Sequence, residues 1–114
     1  EAGRLTGHDD GAKQVLEAGE SVGEGVWRLP LHPAYAEDIR SPVADIRNTG
    51  GDGAGAGIGA QVIGTFVDET TRWAHIDTAS VGWAFSSTPT TPEGGVGWGV
   101  RLFDAIARQE EARD

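Results

Sequence analysis

The chain has 114 residues, and nine Lys plus Arg against eighteen Asp plus Glu give it a formal net charge of -9 at pH 7. That balance excludes nucleic acid and an anionic membrane surface as expected partners, and the absence of Cys excludes disulfides, thiol catalysis and thiolate metal sites. At this length the upper bound is one domain with a modest core.

No apolar run approaches the roughly eighteen residues of a membrane span, and no basic stretch leads into a short apolar one. Neither a spanning helix nor a signal peptide is expected, and the acidic composition suits a cytoplasmic protein. The chain also lacks Met. A complete translation product should open with one, so a piece of a longer polypeptide is expected.

Asp9 and Asp10 precede Ala12, Val15, Leu16 and Ala18, the spacing of a short helix with an acidic N-cap, ended by Gly19 or Gly23. Val26 to Leu31 alternates loosely, and Pro30 lacks an amide donor, which makes the segment extended or an edge strand. His32-Pro33 opens a turn of helix through Tyr35 and Ile39, closed by Ser41-Pro42. The apolar run Val43, Ala44, Ile46 then reads as a strand ending in a glycine-rich turn from which a helix begins.

In that helix Ala54, Ile58, Val62, Ile63, Phe66 and Val67 repeat at helical intervals. Gly55, Gly57, Gly59 and Gly64 interrupt it, each costing about 1 kcal/mol relative to Ala in a helix interior. Such a loss makes sense where another backbone packs closely or where the first turn leaves room for a ligand. Trp73 to Ala79 alternates as a strand with Ala74 and Ile76 on one face. Residues 80–97 read as a long loop rich in Ser, Thr, Pro and Gly. From Trp98 to Arg108 the spacing predicts a helix with Val100, Phe103, Ile106 and Ala107 on one face.

Gly55-Ala56-Gly57-Ile58-Gly59-Ala60 fits the pattern G-x-G-x-x-A, with Asp77 about twenty residues on, as in a dinucleotide fingerprint. Close helix packing accounts for the same glycines. His8, His32 and His75 lack the i, i+4 spacing of a helical zinc motif. His75 and Asp77 share a strand face, where a His donates to a carboxylate for structure as readily as it binds a metal. No Ser lies in a G-x-S-x-G elbow. Trp27, Trp73, Trp83 and Trp98 have no basic patch beside them, and are expected to anchor cores and interfaces rather than stack on bases.

Three stretches together carry a family pattern: Trp27-Arg28-Leu29-Pro30-Leu31, Ala44-Asp45-Ile46-Arg47-Asn48-Thr49-Gly50-Gly51, and Trp73-Ala74-His75-Ile76-Asp77-Thr78-Ala79. In this order and spacing, followed by Gly97-Trp98-Gly99-Val100-Arg101-Leu102, they resemble the C-terminal part of the catalytic domain of the leucyl (cytosol) aminopeptidases. The resemblance runs from about Gly3 onward. It implies an α/β fold, about three strands and four helices forming part of a larger mixed sheet flanked by helices. It also implies a parent enzyme removing N-terminal residues from peptides, with two divalent metal ions (Mn or Zn) acting as Lewis acids and template.

In that family the metal ligands and the catalytic Lys and Arg lie upstream, the last ones within an Asn-Thr-Asp-Ala-Glu-Gly-Arg-Leu motif. Glu1-Ala2-Gly3-Arg4-Leu5 departs from that motif in order and in distance from Trp27, so Arg4 is not taken as the catalytic arginine. The resemblance therefore implies that residues 1–114 are a C-terminal fragment without catalytic residues or bound metal, inactive alone. What it carries over is pocket lining: Thr49 on the leaving-group side, Ala79 and Gly82 around the substrate's N-terminal side chain. Ser80, Thr49, Asp52 and Val96 stand where the family usually has Gly, an aliphatic, a basic residue and Thr. Expected partners are peptide substrate, the missing N-terminal part of the domain and other subunits of a homo-hexamer. The competing class is a small non-enzymatic α/β binding module, with nucleotide bound through the Gly-rich turn.

Overall fold

The computed structural model describes residues 2–5 and 9–113. The elements run β1 (Ala2–Leu5), α1 (Asp9–Val22), β2 (Val26–Arg28), α2 (Ala34–Asp38), α3 (Gly55–Gly64), β3 (His75–Asp77), β4 (Trp83–Ala84), β5 (Gly94–Gly95) and α4 (Val100–Glu111). The fold is α/β with four helices, as the sequence implies. His8 and the side chain of Asp9 lie outside the described residues.

The main sheet is mixed, in the order β2-β1-β3, with β1 parallel to β2 and antiparallel to β3. Its central strand is one that the sequence pattern leaves unmarked. Gly3 pairs with Trp27 on one side and Asp77 on the other, and Arg4 with Arg28 and Ile76. Because strand side chains alternate, Val26 and Ile76 turn toward the helices, where they pack on the core of Val15, Ala18 and Leu102. Trp27 turns to the opposite face and is 64% exposed.

The strand expected over Val43–Ile46 does not form; residues 42–46 are bends, and Val43 is 92% exposed. The Ser41 hydroxyl accepts the amides of Val43 (3.2 Å) and Ala44 (3.1 Å), so local bonds take the groups a ladder would need. Arg47 N–H then donates to Ile39 O at 2.7 Å and closes the excursion. The extended segment at Val26 ends at Arg28, short of Pro30. Within the expected loop 80–97, β4 and β5 pair as a short antiparallel ribbon.

Helix α1 ends in a Schellman motif. Glu24 N–H donates to Gly19 O (2.9 Å) and Gly23 N–H to Glu20 O (3.3 Å), with Gly23 at φ +71° as the left-handed residue. Of the two glycines named as possible stops, Gly23 ends the helix, while Gly19 lies inside it and lets the chain return closely, since a Cβ there would lie 2.5 Å from Glu24 O and 2.9 Å from the Val26 side chain. The motif turns Glu24 inward, to 4% exposure. There its Oε2 accepts the amides of Gly99 (3.2 Å) and Leu102 (2.9 Å) at the start of α4.

Helix α4 presents a different stripe from the expected one. Leu102 is fully buried with Ala105 and Ile106 beside it, while Val100 and Phe103 remain exposed. The stripe is rotated because α4 lies against α1 through Leu102, and nothing described covers the Val100 side. A polar clasp closes the same pair of helices. Arg72 Nη2 donates to Glu110 Oε1 (2.7 Å) and to Gln14 Oε1 (3.0 Å), and buried Gln14 donates its Nε2 to Glu110 at 2.6 Å.

Two of the four glycines of α3 serve close packing. A Cβ on Gly57 would enter the Tyr35 ring, and one on Gly64 would lie 2.6 Å from the Trp73 ring, whereas Gly55 and Gly59 face open space. Replacing Gly59 by Ala should therefore raise stability by up to about 1 kcal/mol through helix propensity, while Gly57→Ala should lower it by about 1–3 kcal/mol through overpacking. Denaturant midpoints of the two variants check the opposite signs.

The hydrogen bonds from Arg72 and then Gln14 hold the Glu110 carboxyl below its ordinary value of 4.5. A lowered folded pKa means that the unfolded chain takes up the proton first as the solution is acidified. The clasp's contribution is thus full well above pH 4.5 and is lost as pH falls through the lowered value. An NMR titration of Glu110 should show its midpoint moving back up in Arg72→Gln.

Candidate functional site

The residues implied as pocket lining fall in two places. Ala79 and Gly82 share the turn that follows β3, and the sequence builds that turn locally. Asp77 Oδ1 accepts the Ala79 amide at 2.9 Å, as an Asx turn does. Thr78 O then accepts the amides of Val81 (3.0 Å) and Gly82 (2.8 Å). Ala79 is exposed and Gly82 half-buried, and a Cβ on Gly82 would lie 3.1 Å from Thr78 O. The turn thus presents a small, open surface at the C-terminal end of a strand, where α/β folds place ligand sites.

The turn is tied to the chain beyond it. Gly82 O accepts the Val96 amide at 3.2 Å, and Trp83 and Ala84 pair with Gly95 and Gly94. Thr49 is exposed in the loop between α2 and α3. Gly50 beside it lies against Ile58, so close that a Cβ there would enter the Ile58 side chain, which seats the loop on α3.

Two further sequence candidates, Asp77 and His32, make local bonds. Asp77 is engaged with the Ala79 amide, and His32 accepts the Ala34 amide at Nδ1 (3.1 Å) with its ring edge-on to Tyr35. Among the described residues no three His, Asp or Glu side chains are grouped to hold a metal ion. The dinucleotide fingerprint requires a strand running straight into the helix. Bends at 42–46 and an Ala54 N-cap at φ +45° stand there instead. A cleft of about 540 Å³ lies elsewhere, between α1, the Glu69–Trp73 segment and Arg113, and none of Thr49, Ala79 or Gly82 lines it. Its walls mix Lys13, Arg72 and Arg113 with Asp10, Glu17 and Glu69, a balanced surface lattice of charge.

Sequence reasoning missed Glu24. A carboxylate one residue past a helix-ending Gly was a visible signal, but its acceptor role depends on amides 75 and 78 positions away.

Residues 1–103 match the family model described as the cytosol aminopeptidase family, catalytic domain. Similar proteins include the probable cytosol aminopeptidase of Dinoroseobacter shibae, 44% identical over 107 residues, covering 94% of this chain and 22% of that protein. That of Gluconobacter oxydans is 40% identical over 111 residues, covering 97% and 22%. Among solved structures, a tomato leucine aminopeptidase mutant superposes with a TM-score of 0.86 at 37% identity, over 95% of this chain and 20% of that one. The bottromycin maturation enzyme BotP in complex with Mn gives 0.88 at 31%, over 96% and 24%. The chain spans about a fifth of the length of the curated relatives it matches. By the match over nearly its whole length, together with the identity of these relatives, the chain belongs to the cytosol aminopeptidase family and corresponds to part of its catalytic domain.

Proposed function

We propose that this chain is the C-terminal portion of the catalytic domain of a metal-dependent, leucyl-aminopeptidase-like exopeptidase, cytoplasmic, that removes N-terminal residues from peptides. The observation that carries the reading is the family match over residues 1–103. The side chains described here do not form a metal-binding group. On this reading the ligands of the two divalent ions, Mn or Zn, and the catalytic Lys and Arg belong to polypeptide outside these residues, and the isolated 114 residues are inactive. When bound, the ions supply Lewis acidity. This chain contributes the shape of the substrate cleft.

In that cleft Ala79 and Gly82 border the side chain of the substrate's first residue, and Thr49 borders the leaving group. Small residues on a tightly bonded turn leave volume for a bulky apolar side chain such as Leu, and apolar pockets select mainly by fit. The uncovered surfaces support further partners. Helix α3 is apolar on nearly every side, yet Ile63 is exposed, and Trp27, Phe66, Trp83 and Phe85 are also exposed. Faces of this kind mark contacts with other protein, here the N-terminal remainder of the domain and the other subunits of a homo-hexamer.

Protein expressed from the complete reading frame should hydrolyse leucine amide with added Mn and lose that activity to a chelator, while residues 1–114 alone should not hydrolyse it. An inactive complete protein, or an active fragment, would sink the reading. In the complete protein Ala79→Leu should cut kcat/KM for Leu-peptides relative to Ala-peptides by about tenfold or more, since each added methylene in such a pocket is worth roughly 10–200-fold. An unchanged Leu/Ala ratio would remove Ala79 from the pocket.

A further inference from the structure

Glu24 is a buried carboxylate that the proposed reaction does not use. Its Oε2 accepts the amide of Gly99, the N-cap of α4, and the amide of Leu102 in the first turn, while Arg101 Nε approaches Oε1 at 3.4 Å. It therefore fixes the point at which the segment 94–99 enters α4. That segment is conformationally permissive, with Gly94, Gly97 and Gly99 all at positive φ, and its two side chains are the half-buried Val96 and Trp98, the latter packed on the Leu102 core. Its far end is bonded to the substrate turn: Val96 N–H donates to Gly82 O, and Gly94 and Gly95 pair with Ala84 and Trp83.

From this continuous path we infer that Glu24 is a positioning residue for substrate selection, holding the 94–99 strap and, through the Val96–Gly82 bond, the turn that carries Ala79 and Gly82. The inference rests on the pocket assignment proposed above. A glycine-rich strap has no intrinsic preference for one path, and anchoring it at Gly99 and at Gly82 removes that freedom. The carboxylate is suited to the task because the first-turn amides of a helix carry partial positive charge. It reaches Gly99, which has no side chain to supply a cap of its own. The group acts at a distance from the substrate, so its loss should alter fit more than chemistry.

The test uses protein from the complete reading frame with Glu24→Met, which keeps the length of the side chain and removes both acceptor oxygens, and Leu102→Ala, which loosens α4 without removing the anchor. In Glu24→Met, KM for Leu-peptides should rise about threefold to tenfold, with the Leu/Ala selectivity ratio narrowing and kcat changing by less than about twofold, the pattern of lost ground-state fit. A purely structural role would lower the active fraction at constant KM and constant selectivity. Leu102→Ala should do just that. Hydrogen exchange gives a readout independent of activity: the Val96 and Gly82 amides should exchange about tenfold faster in Glu24→Met than in the parent or in Leu102→Ala. Unchanged exchange at those amides, or an equal shift in both variants, overturns the inference whether or not the protein cleaves peptides. Altered exchange with no peptide cleavage would instead count against the aminopeptidase reading while leaving the anchor in place.

Discussion

One buried carboxylate, that of Glu24, ties the end of α1 to the start of α4. Glu24 performs with a single oxygen what a capping residue and its partner normally do in two steps, accepting both the N-cap amide and the amide three residues on. Removing a carboxylate from water costs several kcal/mol, and each amide bond to the charged group returns about 1.5–3 kcal/mol. The Arg101 contact adds little, since that side chain is largely exposed and its nitrogen is 3.4 Å away. The two amides therefore decide the balance, and without the carboxylate both would be left buried and unpaired. The Schellman turn at Gly23 matters because it aims Glu24 at them. One point of the structure thereby joins the end of α1, the approach to β2 and the beginning of α4.

What the sequence reveals follows from how local each interaction is. The four helices are legible because their apolar spacing and glycine stops lie within the segments that fold. Likewise β3 is legible from alternation at Trp73 to Ala79, although only His75–Asp77 pairs. The strand β1 is not legible. Its residues, Ala2-Gly3-Arg4-Leu5, carry no alternating signal, and it is a strand because β2 and β3 bond to it from both sides. Val43 to Ile46 shows the converse error, an apolar run that looks like a strand until the hydroxyl of Ser41 claims its amides. The candidate turn became visible through family resemblance rather than pattern, but the Asp77 side chain that shapes it is an Asx signal that local chemistry explains. For Glu24 the sequence shows the carboxylate beside a helix-ending Gly but not its partners, which lie 75 and 78 positions along the chain.

The glycine tract makes the same point about competing explanations. A pattern that fits a phosphate loop is occupied here by aromatic rings, Tyr35 over Gly57 and Trp73 over Gly64. Helix α3 gives up propensity at both positions to let those rings approach its backbone, and this contact fastens α2 and the lead into β3 to it. The interior that results is small. Beside the cluster at Leu102 lie only a few buried apolar residues such as Ile39, Ile58 and Ala60, and Leu102 is the single large side chain fully enclosed among the described residues.

The overall dimensions follow from that thin interior. The chain measures 50 × 41 × 19 Å with a radius of gyration of 15.9 Å, against about 13 Å for a compact chain of this length. A slab of this kind can pack helices on one face of its sheet and leave the other open, as the exposure of Trp27 shows. The two curated relatives are more than four times as long as this chain, and under the proposed reading the open face is where the rest of the catalytic domain lies. The division of labour is then spatial. On that reading, residues near the C-terminal end of β3 shape the space for a substrate, the Glu24 anchor holds the strap that steadies them, and the reacting groups belong to polypeptide outside this chain.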